Sequence, residues 1–170
     1  IGTDPFPMAE EFDGTDVYRV HDDLTYGTVN PIGDYTAVGT FTGVTGTPTG
    51  LAYDHQNDIM YVCVLDGSDL PQLCTADLGT GVLTLVGTGA EGMIIGMDFA
   101  NDGMLYGPGL NDNLYRIDPA TGTVTLIGGL GVDINYGQDV SYDFEANKLY
   151  TITCGAVYEF GYYDLATGAF

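Results

Sequence analysis

A unit that recurs four times limits what this chain can fold into more tightly than any other property of the sequence. Its turns read Asp77-Leu78-Gly79-Thr80-Gly81, Asp118-Pro119-Ala120-Thr121-Gly122 and Asp164-Leu165-Ala166-Thr167-Gly168. Asn30-Pro31-Ile32-Gly33 is the same turn with one residue fewer. Six positions after the turn glycine a second glycine ends an apolar stretch, at Gly39, Gly87 and Gly128. Upstream of each turn an apolar residue precedes a tyrosine: Val17-Tyr18, Met60-Tyr61, Leu105-Tyr106 and Leu149-Tyr150. Tyr18 to Pro31 and Tyr106 to Pro119 both span 13 residues, so the two anchors keep a fixed phase.

Ahead of the tyrosines lie Gly50 to Asp58, Gly96 to Gly103 and Asp139 to Asn147, short alternating stretches that end in polar turn residues, with residues 7 to 16 as a diverged first copy. Each unit therefore reads as four short strands, near 50–54, 59–65, 72–78 and 83–88 in the second copy, joined by Gly, Asn and Asp turns. Four strands per repeat at a period of about 43 residues is the pattern of a β-propeller blade. The expected fold is all-β and propeller-like, with four antiparallel blades near 7–41, 50–89, 96–130 and 139–170, the last one incomplete and continued by residues 1–3. No helix-period segment of useful length is present.

The incomplete blade directs attention to the two ends. Ile1-Gly2-Thr3 matches Val86-Gly87-Thr88, and Ala169-Phe170 stand where a fourth strand should start. Three arrangements fit: closure within one chain, four blades of a longer array or larger ring, or completion of the open strand by a neighbouring chain, since an unpaired β edge templates pairing. Ile1, Gly2, Thr3, Ala169 and Phe170 are accordingly the expected interface residues, and self-association or contact with neighbouring domains of one protein is the expected partnership.

Charge removes several functions. With 24 acidic residues, three basic ones (Arg19, Arg116, Lys148) and a formal charge of −21, the chain lacks the cations that neutralise phosphates, so nucleic acid and anionic membranes are not expected partners. No apolar run approaches the ~18 residues of a membrane span. Such a balance attracts cations, and Ca²⁺ is the ion to consider. Of the oxygen-rich clusters, Asp98 with Asn101 and Asp102 is the candidate metal site, although none follows the spaced pattern of a calcium loop. Polar turns account for the same residues.

The equivalent Asp77, Asp118 and Asp164 suggest a ring of carboxylates, yet Asp at the head of a turn caps backbone N–H groups, and the Gly that follows supplies a positive φ. Asn30 at the fourth position suits a cap and not a charge. Cys63 and Cys74 fall on consecutive strands of one hairpin, where a cross-strand disulfide and two buried thiols are both open readings. His21 and His55, the two histidines, stand beside no nucleophile or metal motif, and no catalytic motif appears. Channel-facing positions read mostly as Gly, Ala, Tyr and aliphatic residues. The anchor tyrosines read as packing between blades, while Tyr136, Tyr162 and Tyr163 lie outside that register and suit a surface contact.

Leu114 to Gly128, Gly50 to Tyr61 and Asn135 to Tyr150 resemble propeller repeats of large secreted, cell-surface bacterial proteins, especially of Bacteroidota. The resemblance implies an extracellular or cell-surface module without assigned catalytic residues. The sequence expectation is a non-enzymatic structural or adhesion module of a surface or filament protein that polymerises by strand completion. A glycan- or Ca²⁺-binding propeller is the alternative, and an enzyme of the lactonase or lyase type, requiring acids or histidines converging in the channel, is third.

Overall fold

In the computed structural model, residues 5–135, 139–155 and 157–170 are described, and none of them is helical. Fifteen strands form four antiparallel sheets arranged as the four blades of a β-propeller. Blade 1 consists of β1 (Pro7–Phe12), β2 (Val17–His21), β3 (Thr25–Val29) and β4 (Tyr35–Thr40). Blade 2 consists of β5 (Thr47–Asp54), β6 (Ile59–Leu65), β7 (Pro71–Asp77) and β8 (Val82–Thr88). Blade 3 consists of β9 (Asp98–Phe99), β10 (Leu105–Gly109), β11 (Asn113–Ile117) and β12 (Val124–Gly129). Blade 4 has three strands, β13 (Val140–Asp143), β14 (Lys148–Cys154) and β15 (Tyr158–Tyr163).

The repeated turn does what its residues dictate. Asp77 Oδ1 accepts the N–H groups of Gly79 and Thr80 at 2.9 and 3.0 Å, Asp164 does the same for Ala166 and Thr167, and Asp118 accepts from Ala120. Gly81, Gly122 and Gly168 adopt φ of 75°, 69° and 85°, the left-handed region that the turn requires. Asn30 caps the first copy through its side-chain oxygen, which accepts from Ile32 and Asp34. The Thr80 hydroxyl, with the Thr80 and Gly79 N–H groups, holds the exposed Asp77 carboxyl below its ordinary pKa. The aspartates are turn caps, as the sequence indicates.

Because side chains alternate along a strand, each blade has two packing faces, and neighbouring blades share one core between them. Val20 and Tyr26 pack with Met60, Val62 and Cys74 between blades 1 and 2. Tyr61, Cys63 and Leu73 pack with Leu105, Tyr115 and Ile117 between blades 2 and 3. Tyr106 and Leu114 pack with Leu149 and Tyr163 between blades 3 and 4. Among the described residues, no fourth core joins blade 4 to blade 1.

Two sequence expectations change, and one open reading is decided. Blade 3 begins with a two-residue inner strand, because Gly96, at φ 77°, turns the chain and sends its N–H to the Thr49 carbonyl of blade 2. Cys63 and Cys74 do not face each other: Cys63 pairs with Leu73 and Cys74 with Val62, which puts the sulfurs on opposite faces of the sheet as free, buried thiols. Burial pushes both thiols up, Cys63 to about 12 and Cys74 to about 11, so neither is a ready nucleophile. Tyr163 is a core residue packed on Phe170 and not a surface contact, while Tyr162 is exposed and Tyr136 lies outside the described residues.

At the C-terminal side, Phe170 donates its N–H to the Leu130 carbonyl as Leu83 does to Thr42, so Phe170 occupies the place where a fourth strand begins in the complete blades. Its ring covers Gly161, where a Cβ would stand 2.5 Å from the ring. Ala169 accepts from the Asp164 N–H in the turn before it. Ile1, Gly2 and Thr3, the other expected interface residues, lie outside the described residues.

Candidate functional site

The site follows from one register position. The inner-strand residue opposite each anchor tyrosine is Glu11 (facing Tyr18), Ala52 (Tyr61), Asp98 (Tyr106) and Ser141 (Tyr150). Two residues earlier stand Ala9, Gly50, Gly96 and Asp139. Four blades bring these eight positions around one axis, and three carboxylates meet there.

Each carboxylate is held by backbone donors. Asp98 accepts the N–H groups of Phe99 at 2.7 Å and of Tyr142, on blade 4, at 2.6 Å. Asp139 accepts from Val140 at 2.9 Å and stands near Glu10 of blade 1, where the last blade meets the first. Gly96 makes this possible, since a Cβ there would stand 2.8 Å from an Asp139 oxygen. Glu11 accepts the N–H of Phe12.

Burial raises all three carboxyls, because charge in a crowded, low-dielectric setting is disfavoured. Glu11 is pushed up to about 8 by burial and by the Asp98 and Asp139 charges, against the pull of the Phe12 N–H. Asp139 rises to about 7, burial of its carboxyl again leading, although the residue as a whole is exposed. Asp98 rises to about 6, restrained by its two N–H donors and by His55 nearby. The channel expected from sequence to be lined by small and apolar residues is therefore acidic. The repeat alignment showed Asp98 and Asp139; Glu11 escaped it because the first copy diverges.

Beside this cluster, residues of blades 4 and 1 line an open cleft of about 410 Å³. Glu10, Glu11 and Asp139 form its inner end, and Phe12 and Val17 face Tyr150, Ile152 and Phe160 across it. A second concavity of about 510 Å³ between blades 2 and 3 is lined by Tyr53, His55, Gln56, Tyr61, Phe99 and Phe144 among others.

The suggested cation ligands do not converge. Asp98 turns to the axis, Asn101 donates its amide to the Phe144 carbonyl and to Asn147, and Asp102 accepts from Tyr106 and lies 3.6 Å from Arg116. Among the described residues, no group of three or more His, Cys, Asp or Glu is placed to hold a metal ion.

No family model and no curated protein matches the sequence. Solved structures do. A structural genomics protein of unknown function from Bacteroides thetaiotaomicron superposes with a TM-score of 0.67 at 16% identity, over 94% of this chain and 43% of that one. A chain of the nidogen/laminin complex gives 0.61 at 17% identity, over 89% of this chain and 58% of that one. The WD40 β-propeller domain of Doa1 gives 0.55 at 15% identity, over 95% of this chain and 53% of that one. This chain thus spans about half the length of these three structures, and at such identities the likeness is one of fold: a β-propeller.

Proposed function

We propose that the protein is a non-enzymatic structural or adhesion module of a bacterial surface or filament protein, working outside the cell and associating with further copies by strand completion. One observation carries this reading. β15 has no partner on its outer side among the described residues, whereas the third strand of every other blade pairs with a fourth. Its sequence, Tyr-Glu-Phe-Gly-Tyr-Tyr, has neither the Lys nor the Pro that commonly guards an open edge. Tyr158 and Phe160 are both 74% exposed, which favours addition of a strand from a neighbour. Light scattering across a concentration series tests the proposal. Concentration-dependent assembly that Phe160→Lys and Glu159→Pro abolish supports it, and a monomer at every concentration refutes strand completion.

The concavity between blades 2 and 3 favours one second reading. Aromatic rings beside the Gln56 amide and the His55 imidazole suit a sugar, whose faces stack on rings while its hydroxyls bond to polar groups. Binding of neutral oligosaccharides that Phe144→Ala removes is the corresponding test.

A further inference from the structure

The cleft between blades 4 and 1 differs from the three other interblade spaces at one register position. The cross-strand pair that faces the next blade is Val20–Tyr26 in blade 1, Cys63–Leu73 in blade 2, Pro108–Leu114 in blade 3 and Ile152–Phe160 in blade 4. The first three pairs are buried. Ile152 and Phe160 are 58% and 74% exposed. An apolar face that elsewhere meets a blade here meets water, at a real cost in free energy.

At the inner end of the same cleft, Glu11 and Asp139 have no ion-pair partner among the described residues. The whole sequence holds three basic side chains. Arg19 is spent on Glu10, its Nε 2.6 Å from the carboxylate, and also lies over the Tyr35 ring. Arg116 lies beside Asp102 on blade 3, and Lys148 stands 3.8 Å above the Tyr162 ring. Glu11 and Asp139 face Asp98 and Glu10, with His55 near Asp98 as the one other titratable base. The cleft thus joins carboxyls that no protein cation pairs with at its inner end to an aliphatic and aromatic surface at its mouth.

We propose that this cleft binds an organic cation carried on an apolar body, with an ammonium or guanidinium group on Glu11 and Asp139 and the apolar part between Phe12 and the Ile152–Phe160 pair. The volume of about 410 Å³ is within the range of small-molecule sites. A cation gains from charge in a crowded setting, and its apolar part gains by covering exposed rings. An anion would meet only repulsion, and a neutral molecule would gain from the rings alone.

Titration calorimetry at low salt with 4-phenylbutylammonium, and with 4-phenylbutan-1-ol as its neutral counterpart, tests this. At about pH 8.5 the ammonium compound is expected to bind at least ~10-fold more tightly than the alcohol, the size of one modest ion contact. That preference should shrink towards pH 6 as the carboxyls take up protons, while the affinity for the alcohol stays level. Glu11→Gln with Asp139→Asn removes the preference and spares the alcohol, and Phe160→Ser, at an exposed position, weakens both compounds. Equal affinities, no binding of either compound, or a preference that does not change with pH overturns the proposal, and the pH series on the unmodified protein decides the matter if the double variant does not fold.

Discussion

The carboxylate of Asp98 accepts the backbone N–H of Tyr142 at 2.6 Å, tying the inner strand of blade 3 to that of blade 4. Asp98→Ala leaves that N–H without its acceptor and is expected to cost about 1–3 kcal/mol, the desolvation cost of an unmet donor. Asp98→Asn keeps an acceptor and removes a like charge, so above pH 7 it should cost less than the alanine. Urea unfolding of both variants measures the difference.

The raised carboxyls make stability depend on pH in one direction. A carboxyl whose pKa is higher in the folded protein than in the unfolded chain stabilises the fold while protonated, and that contribution is lost as pH rises through the folded value. Glu11 at about 8, Asp139 at about 7 and Asp98 at about 6, against ordinary values of 4.5 for Glu and 3.8 for Asp, set the window. The melting temperature should therefore fall between pH 5 and pH 9. Glu11→Gln should flatten the upper part of that curve, and scanning calorimetry across the range would show a level profile if the cluster did not act in this way.

Gly87 and Gly122 bring blades 2 and 3 into backbone contact. A Cβ on Gly87 would stand 2.1 Å from the Thr121 carbonyl oxygen and 3.1 Å from the Gly122 Cα. The neighbour is backbone and has nowhere to move, so Gly87→Ala is expected to destabilise by about 1–3 kcal/mol, as overpacking does elsewhere. Gly67, with nothing within 4 Å, is the control position, and Gly67→Ala should leave the unfolding midpoint close to that of the parent.

The aromatic face of blade 4 should be nearly silent in stability. Leu73→Ala opens a hole in the core between blades 2 and 3 and is expected to cost about 2–5 kcal/mol. Phe160→Ser changes the equivalent cross-strand position where the ring is exposed, and should shift stability by no more than about 0.5 kcal/mol. A large loss at Phe160 in a monomeric sample would mean that the face is covered within the chain.

The fold was legible because the turn chemistry and the strand period agree. Asp77 and Asp118 with their glycines place the outer hairpins of blades 2 and 3, Asn30 places that of blade 1, Asp164 marks the same turn after β15, and the anchor tyrosines place the second strands. Of the two readings left open for Cys63 and Cys74, the buried thiols hold, because a hairpin register offset by one residue puts them on opposite faces. The short β9 depends on the Gly96 bend, which responds to Thr49 of another blade and leaves no local signal. The axial carboxylates were half visible. Asp98 and Asp139 stand in the aligned repeats, but their convergence with Glu11 is a product of ring geometry, and the diverged first blade hid the third member.

The three interblade cores also set the order in which the molecule can come apart. Among the described residues, blades 2 and 3 each share two cores, whereas blades 1 and 4 each share one and approach each other at Asp139 and Glu10. Such an arrangement behaves as a row of nearest-neighbour couplings closed by a weak clasp. Loosening is expected to begin at the clasp and to peel the outer pair of blades before the middle pair, so the seam that carries the open apolar face is also the part of the ring expected to yield first.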